Sequence, residues 1–200
     1  MEYHLSTPVK EKDIRKLRKG DVVYISGVIV TARDEAHLKA LELKKEGEQI
    51  PVDFKGLGVF HCGPIMTKQN DKWKTVAAGP TTSARMEIFE DIFIEAFRPA
   101  IIIGKGGMGN RTVEACKEFG CVYGIFTGGA ALLAAQGIVE VLNVFWLEDL
   151  GMPECLWVYK VKDFGPLIVS IDTHGNNLTA EVAEKVDLNL KVLLGGNNDA

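Results

Sequence analysis

The chain has 200 residues, 46% of them hydrophobic and 25% charged, with a net charge of -4. This is the composition of a soluble globular protein long enough to bury one sizeable core. The acidic balance argues against a nucleic-acid partner, no apolar run approaches the ~20 residues that span a bilayer, and the opening MEYHLSTPVKEKDIRKLRKGD lacks the apolar core and cleavage site of a signal peptide. A cytoplasmic location is expected.

Residues 8–18, PVKEKDIRKLR, read as a short amphipathic helix after Thr7-Pro8. GDVVYISGVIVTARD is a Gly-Asp turn followed by one or two Val- and Ile-rich strands. DEAHLKALELKKEGE reads as a helix that Asp34 can cap and Gly47 stops, with Leu38, Leu41 and Leu43 on its apolar side. GVFHCGPIM is a strand, followed by a hairpin through KQNDKW into the strand KTVAAG. PTTSARMEIFEDIFIEAFRP opens as a polar loop and continues as a helix, with Met86, Phe89, Phe93 and Phe97 near helical spacing and assigned to the core. Strand 100–103, a Gly-rich loop and helix 111–119 follow, then the strand CVYGIF and a Gly-started helix, GGAALLAAQGI. VEVLNVFWL and LWVYKVKDFGPLIVSID are strands, and residues 191–200 read as a frayed tail. A hairpin-rich, antiparallel first half and an alternating second half predict a single α/β domain over 1–200, with a mixed sheet and flanking helices.

The four cysteines, Cys62, Cys116, Cys121 and Cys155, contain no C-x-x-C and no iron–sulfur or zinc spacing. Buried or semi-buried free thiols are the reading they favour.

The stretch IIIGKGGMGNRT, residues 101–112, carries the first functional signal. A β-branched strand end runs into glycines, a lysine and the start of a helix. Backbone N–H groups at such a start favour an anion, and Lys105 adds a full charge. The Walker pattern fails, because Lys105 precedes the loop glycines. Gly104, Gly106 and Gly109 match Gly-x-Gly-x-x-Gly, but no acidic residue closes a strand about 20 residues on. A plain strand-to-helix turn is the competing reading. Other polar loops sit at strand ends: Arg33, Asp34 and His37 in TARDEAH, Thr81, Thr82, Ser83 and Arg85 in GPTTSARM, and Asp172 and His174 in DTHGNNL. If they converge, guanidiniums, a lysine, hydroxyls and an imidazole suit a small dicarboxylate. Each has a plainer reading: a helix-start ion pair for Arg33 and Asp34, a packed histidine for His37, an N-cap cluster for Thr81–Ser83, a turn residue for His174.

TARDEAH, GPTTSARM, GKGGMGNRT and LGMPECLWVYKVKDFGPLIVSIDTHGNNL, in this order between Thr7 and Leu178, resemble the β subunit of class I, iron–sulfur-dependent fumarases and L(+)-tartrate dehydratases. The resemblance implies a swivelling β/β/α domain that pairs with an α subunit, as a heterodimer or α2β2, or with an N-terminal domain in single-chain members. The partner would carry the cysteines of a [4Fe–4S] cluster, whose open iron acts as a Lewis acid on the substrate. The reaction implied is reversible hydration of fumarate to (S)-malate, inactive or nearly so without the α subunit. Dehydration of L(+)-tartrate to oxaloacetate is the alternative, and a non-catalytic dicarboxylate-binding domain is the alternative from another class.

On this chain the resemblance implies His37 as the active-site histidine, Arg85 as a carboxylate clamp, and Lys105 and Thr112 as substrate-binding and proton-transfer groups. Arg33, Thr81, Thr82, Gly106, Gly107 and Arg111 are the further substrate contacts expected, and no residue is assigned as a metal ligand. The comparable loop of single-chain fumarases is shorter, running Lys-Gly-Asn-Arg, so the role of each residue in KGGMGNRT stays open and Arg111 fits the arginine role equally. A threonine base also needs help, which an electropositive loop can supply. The loop then reads as a cationic flap, its glycines permitting closure over a dicarboxylate. An obligate subunit should expose an apolar face, for which FWLEDLGMPECLW is a candidate, although Trp146 and Trp157 also fit a core.

Overall fold

In a computed structural model, residues 1–195 are described. The elements in chain order are β1 (Glu2–Ser6), α1 (Glu11–Ile14), β2 (Val22–Thr31), α2 (Asp34–Glu46), β3 (Gly58–Phe60), β4 (Ile65–Gln69), β5 (Lys72–Ala77), a 3-10 segment (Ser83–Ile88), α3 (Glu90–Phe97), β6 (Ile101–Gly104), α4 (Asn110–Phe119), β7 (Val122–Ile125), α5 (Ala131–Gln136), β8 (Ile138–Phe145), α6 (Leu147–Leu150), β9 (Leu156–Ile171) and α7 (Leu178–Gly195). β2, β3, β6 and β7 lie parallel in that order. The 16-residue β9 pairs antiparallel with both β7 and β2 and so closes these five strands into a small barrel. β1 adds parallel to the first half of β2, and β8 adds antiparallel to β9.

Period-two alternation sorts each strand between two apolar clusters. Ile25 and Ile29 of β2, Phe60 of β3, Ile101 and Ile103 of β6, and Phe164 and Leu167 of β9 belong to one. The residues between them, Val30, Val59 and Ile102, meet Ala36 and Ala40 of α2, Phe93 and Phe97 of α3, and Val113 and Cys116 of α4 in the other. The first cluster fills the barrel, where Phe164 packs against Phe60 at 5.2 Å and Phe126 at 5.3 Å between ring centroids. The second fastens the helices to the outside. The fold is therefore mixed α/β with flanking helices, as expected, and Met86, Phe89, Phe93 and Phe97 are all core.

Several expectations need correction. The first half is mainly parallel: α2 is a crossover between β2 and β3, and β4–β5 is the hairpin, turning through Asn70 and Asp71 at positive φ. Region 20–34 holds one strand, bulged twice against β9. The helix expected over 8–18 is the single turn α1, with Ile14 and then Leu17 buried. Asp34 lies inside α2, with Arg33 at the N-cap, while Gly47 ends the helix in the left-handed conformation. α2 buries Ala36, His37 and Ala40, and leaves Leu38 exposed. Trp157 is core and Trp146 half-buried, so FWLEDLGMPECLW is not an exposed apolar face. β1 and α7 were not foreseen. α7 takes in 191–195 of the expected tail, and 196–200 lie outside the described residues. From Val182 to Leu194 its residues are exposed, Val186, Leu190 and Leu193 among them.

The Gly-rich loop is pinned on both sides. Glu87 reaches the start of α4 and accepts hydrogen bonds from Gly109 N at 2.7 Å, Arg111 N at 3.1 Å and the Thr112 hydroxyl at 2.7 Å. A Cβ on Gly109 would lie 2.7 Å from that carboxylate, and one on Gly107 would lie 2.6 Å from Thr179 Cγ2 beside α7. Asn177 donates to Met108 O at 2.9 Å. These glycines permit close approach. The anion favoured at this helix start is thus supplied by the chain itself. Glu87→Ala is expected to cost about 1–2 kcal/mol by loss of the cap, read as a lower urea midpoint at unchanged slope. Phe164→Ala should cost about 3–5 kcal/mol by opening the barrel core, whereas Leu193→Ala should stay within about 0.5 kcal/mol in the isolated chain.

Candidate functional site

Because β2, β3, β6 and β7 run parallel, the residues that follow them share one end of the barrel: Arg33 after β2, His61 after β3, Lys105 after β6, and Thr127–Gly129 after β7. Ligands of open α/β sheets gather at such ends. Here the stretch Pro80–Ser83 inserts between two of them like a short added strand. Thr81 N donates to His61 O at 2.6 Å, Lys105 N donates to Thr81 O at 3.2 Å, and Ser83 N donates to Lys105 O at 3.0 Å. The ladder stands Thr81 and Thr82 beside Lys105. Gly104 makes this possible, since a Cβ there would collide with Ser83 Oγ. Thr82 is exposed, and Thr81 and Lys105 are half-buried. A Cβ on Gly128 would sit 3.6 Å from the Lys105 side chain, so the turn after β7 flanks the same lysine.

Beneath this end lie three polar side chains with no exposed surface, His37 of α2, His61, and Glu90 of α3. His61 Nε2 is 3.1 Å and His37 Nε2 is 3.6 Å from Glu90 Oε2. Neither contact has hydrogen-bond alignment: both Nε2 atoms and both Glu90 oxygens lack a hydrogen bond. The opposite ring nitrogens are committed, His37 Nδ1 donating to Arg33 O at 2.8 Å and His61 Nδ1 lying 2.9 Å from Ser83 Oγ. Phe93 packs 4.3 Å from the His37 ring. Burial alone would raise the Glu90 carboxyl, but the imidazoles beside it hold it below the usual carboxylate range. His61 moves down, because its loss of water outweighs the attraction of Glu90. The two directions meet in one state, an ionised Glu90 facing a neutral His61.

The arginines divide differently. Arg33 is one-fifth exposed, pairs with Glu154 at 3.0 Å, and leaves Nε buried without a partner. Arg85 is half exposed and gripped on two nitrogens by Asp34, with Nε at 3.2 Å from Oδ1. Arg111 makes a two-point pair with Asp91 at 2.8 and 2.9 Å. Thr112 is fully buried and spends its hydroxyl on Glu87. The structure therefore brings Thr81 and Thr82 beside Lys105 and Gly106, while Arg33 stands at the same end of the barrel, paired with Glu154, and its carbonyl holds the buried His37. It sets Thr112 and Arg111 apart on α4, behind Glu87. His174 contacts Arg15 O at 3.0 Å, and Asp172 accepts backbone N–H groups from Lys19, His174 and Asn176, as in a turn.

Residues the sequence reading passed over are His61, Glu87 and Glu90. A signal was present: His61 and Glu90 interrupt the apolar runs VFHCG and IFEDIF, where an ionisable group needs a partner. All four cysteines are buried; burial pushes the Cys62 thiol up, and that of Cys155 to about 11.

A protein-family model described as Fumarase C-terminus matches residues 1–182. The L(+)-tartrate dehydratase subunit beta of Escherichia coli K12 is 52% identical over 181 residues, covering 90% of this chain and 88% of that protein. A protein of Methanocaldococcus jannaschii, provisionally named an L(+)-tartrate dehydratase subunit beta, is 47% identical over 195 residues, 98% of this chain and 100% of its own length. A protein of Geobacillus stearothermophilus, provisionally named a class I fumarate hydratase, is 42% identical over 179 residues, which are 89% of this chain but 34% of that longer protein. With the matched region taking in every strand of the barrel and the whole candidate site, the chain belongs to the fumarase C-terminus family, alongside the β subunits of L(+)-tartrate dehydratase.

Proposed function

We propose that this chain is the β subunit of a [4Fe–4S]-dependent hydro-lyase that interconverts fumarate and (S)-malate, active only with a cluster-bearing α subunit. The observation that carries the reading is Lys105, partly exposed and with no ion pair among the described residues, whose backbone is laddered to Thr81–Ser83 at the barrel end where Arg33 also lies. The other cations nearby, Arg85 and Arg111, are already matched by carboxylates. An unmatched cation at a crowded strand end is a place for an anion from outside. Lys105 suits one end of a four-carbon dicarboxylate, and Arg33 or Arg85 can take the other if substrate displaces Glu154 or Asp34.

In the hydration direction a proton is delivered to one alkene carbon while water adds to the other, and the reverse step removes that proton. We assign the proton-carrying hydroxyl to Thr81 or Thr82, which stand beside Lys105, in place of Thr112. A neighbouring ammonium lowers the cost of an alkoxide. His37 and His61 act as positioning residues, since neither reaches the surface. The cluster is assigned to the partner, in keeping with the cysteine spacing here.

A partner surface is supported next to the site. α5 follows directly on Gly128 and Gly129, and its Leu132 and Leu133 are 68% and 52% exposed. A subunit seated there would cover these leucines and exclude water from Lys105. No helix among the described residues is long and apolar enough to cross a membrane. We place the assembly in the cytoplasm, as a heterodimer or α2β2. The second reading, L(+)-tartrate dehydratase, is favoured by the names of the relatives at 52% and 47% identity.

The test is to co-express the chain with its candidate α subunit, purify without oxygen, and follow fumarate formation from malate and oxaloacetate formation from L(+)-tartrate. Turnover of malate that needs both chains is expected. Turnover of tartrate alone selects the second reading. Dicarboxylate binding by the isolated chain, with no activity in either mixture, would leave a binding module instead. In the active complex, Lys105→Met should lower kcat/KM by about 10–100-fold, the worth of a charge-assisted contact. One of Thr81→Val and Thr82→Val should lower kcat by about 100- to 10,000-fold, while Thr112→Val should lower thermal stability and leave kcat within a few-fold. The reverse pattern would return the proton-transfer role to Thr112.

A further inference from the structure

We propose that His37, His61 and Glu90 bind a divalent metal ion of the Zn2+ or Fe2+ class, in a closed site beneath the strand ends. The three donors come from three elements that only the fold brings together. Their ligand atoms all lie within 4.8 Å of one another. Two donors at ~2.0–2.1 Å from a tetrahedral ion stand about 3.3–3.4 Å apart. The two separations from Glu90 Oε2, 3.1 and 3.6 Å, bracket that value, and the third lies within 4.8 Å.

The competing account is a plain ion pair between Glu90 and a protonated histidine. It leaves too much unexplained. A pair formed for its own sake would align a ring N–H with a carboxylate oxygen, yet both Nε2 atoms and both Glu90 oxygens are without a hydrogen bond. Donors aimed at a common point would show this pattern: close together, and misaligned with one another. The outer contacts agree. His37 Nδ1 donates to a backbone carbonyl, which leaves its Nε2 lone pair available to an ion, and His61 Nδ1 meets a serine hydroxyl that can accept from it and so permit the same tautomer. Two imidazoles and one carboxylate suit zinc or ferrous iron, while calcium and magnesium prefer all-oxygen sets. Three protein ligands leave a fourth position for a water or small anion. Such an ion would tie α2, α3 and the end of β3 together. It would also add positive charge beneath Lys105 and Arg33. Its role is positioning and electrostatic, because its ligands have no exposed surface.

This inference does not depend on the hydro-lyase reading, and its test uses no activity assay. The full chain, expressed alone so that no partner cluster contributes iron, is gel-filtered in the presence of EDTA and analysed by inductively coupled plasma mass spectrometry. About one zinc or iron per chain is expected, or its uptake when Zn2+ is returned to protein stripped with dipicolinate. Glu90→Gln and His61→Gln should each lose most of that metal and the rise in Tm that Zn2+ gives the stripped wild type. Should those variants not fold, X-ray absorption of the wild-type metal decides: a first shell of nitrogen and oxygen with imidazole scattering is expected, and sulfur ligands would overturn the assignment. Wild type that neither carries nor takes up metal, with no Tm response to Zn2+ or Fe2+, would refute it. So would variants that keep the full metal content.

Discussion

The arrangement depends on one carboxylate placed where water cannot reach it. Glu90 projects from α3 into the seam between that helix and the strand ends, and nothing of it is exposed. A charge in such a place must be met by positive charge, and removing its partner costs about 3–5 kcal/mol. His37 and His61 face it from two other elements, and the proposed ion between them would supply that charge. Each is fixed at its far nitrogen, one by the Arg33 carbonyl and the other by Ser83. Satisfying one buried charge therefore sets where the turn after β2 begins and where the Thr81–Ser83 segment lies. Those are the two segments that carry the guanidinium and the hydroxyls of the candidate site.

Carboxylates do similar work elsewhere, and the distribution of charge follows from it. Glu87 fills the start of α4, Asp91 holds Arg111, Asp34 holds Arg85, and Glu154 holds Arg33. Each contact stiffens the site's surroundings, and the three with arginines remove a cation from competition. A surface pair of this kind adds little stability. Its effect here is selective: after the internal anions are spent, positive charge stays uncommitted at Lys105. The proposed preference for an external anion is thus a matter of subtraction across three ion pairs.

Local pattern and single residues carried much of this in the sequence. Glycine positions, the Asn70–Asp71 turn, the aromatic stripe of α3 and strands β6 and β7 are legible because period and turn chemistry are local properties. Closure was not legible. β9 joins β2, more than a hundred residues earlier in the chain, and no spacing encodes that pairing. The Gly-rich loop was correctly read as favouring an anion, but a sequence cannot say whether the anion is a ligand or the chain's own Glu87. The same reason explains Thr112. It sits in the right motif with the right chemistry, and its neighbour across the loop consumes its hydroxyl. His61 and Glu90 were missed because no motif spacing connects positions 37, 61 and 90, although a histidine and a glutamate inside apolar runs were a warning.

The exposed surface completes the physical argument for a shared active site. An enzyme that protonates carbon needs a dry enclosure, because water competes for the proton and weakens every charge interaction inside. Thr82 is exposed and Lys105 half-exposed, with glycines on the β7 side in place of a wall. The rim there continues into leucines that face solvent, at a real hydrophobic cost. Both deficits, an open cationic floor and an apolar edge with nothing against it, are removed by the same event: a second surface laid over α5 and the strand ends. A chain that kept its own lid would need neither feature. The proposed division of one active site between two chains would therefore cover both the cationic floor and the apolar edge at this end of the barrel.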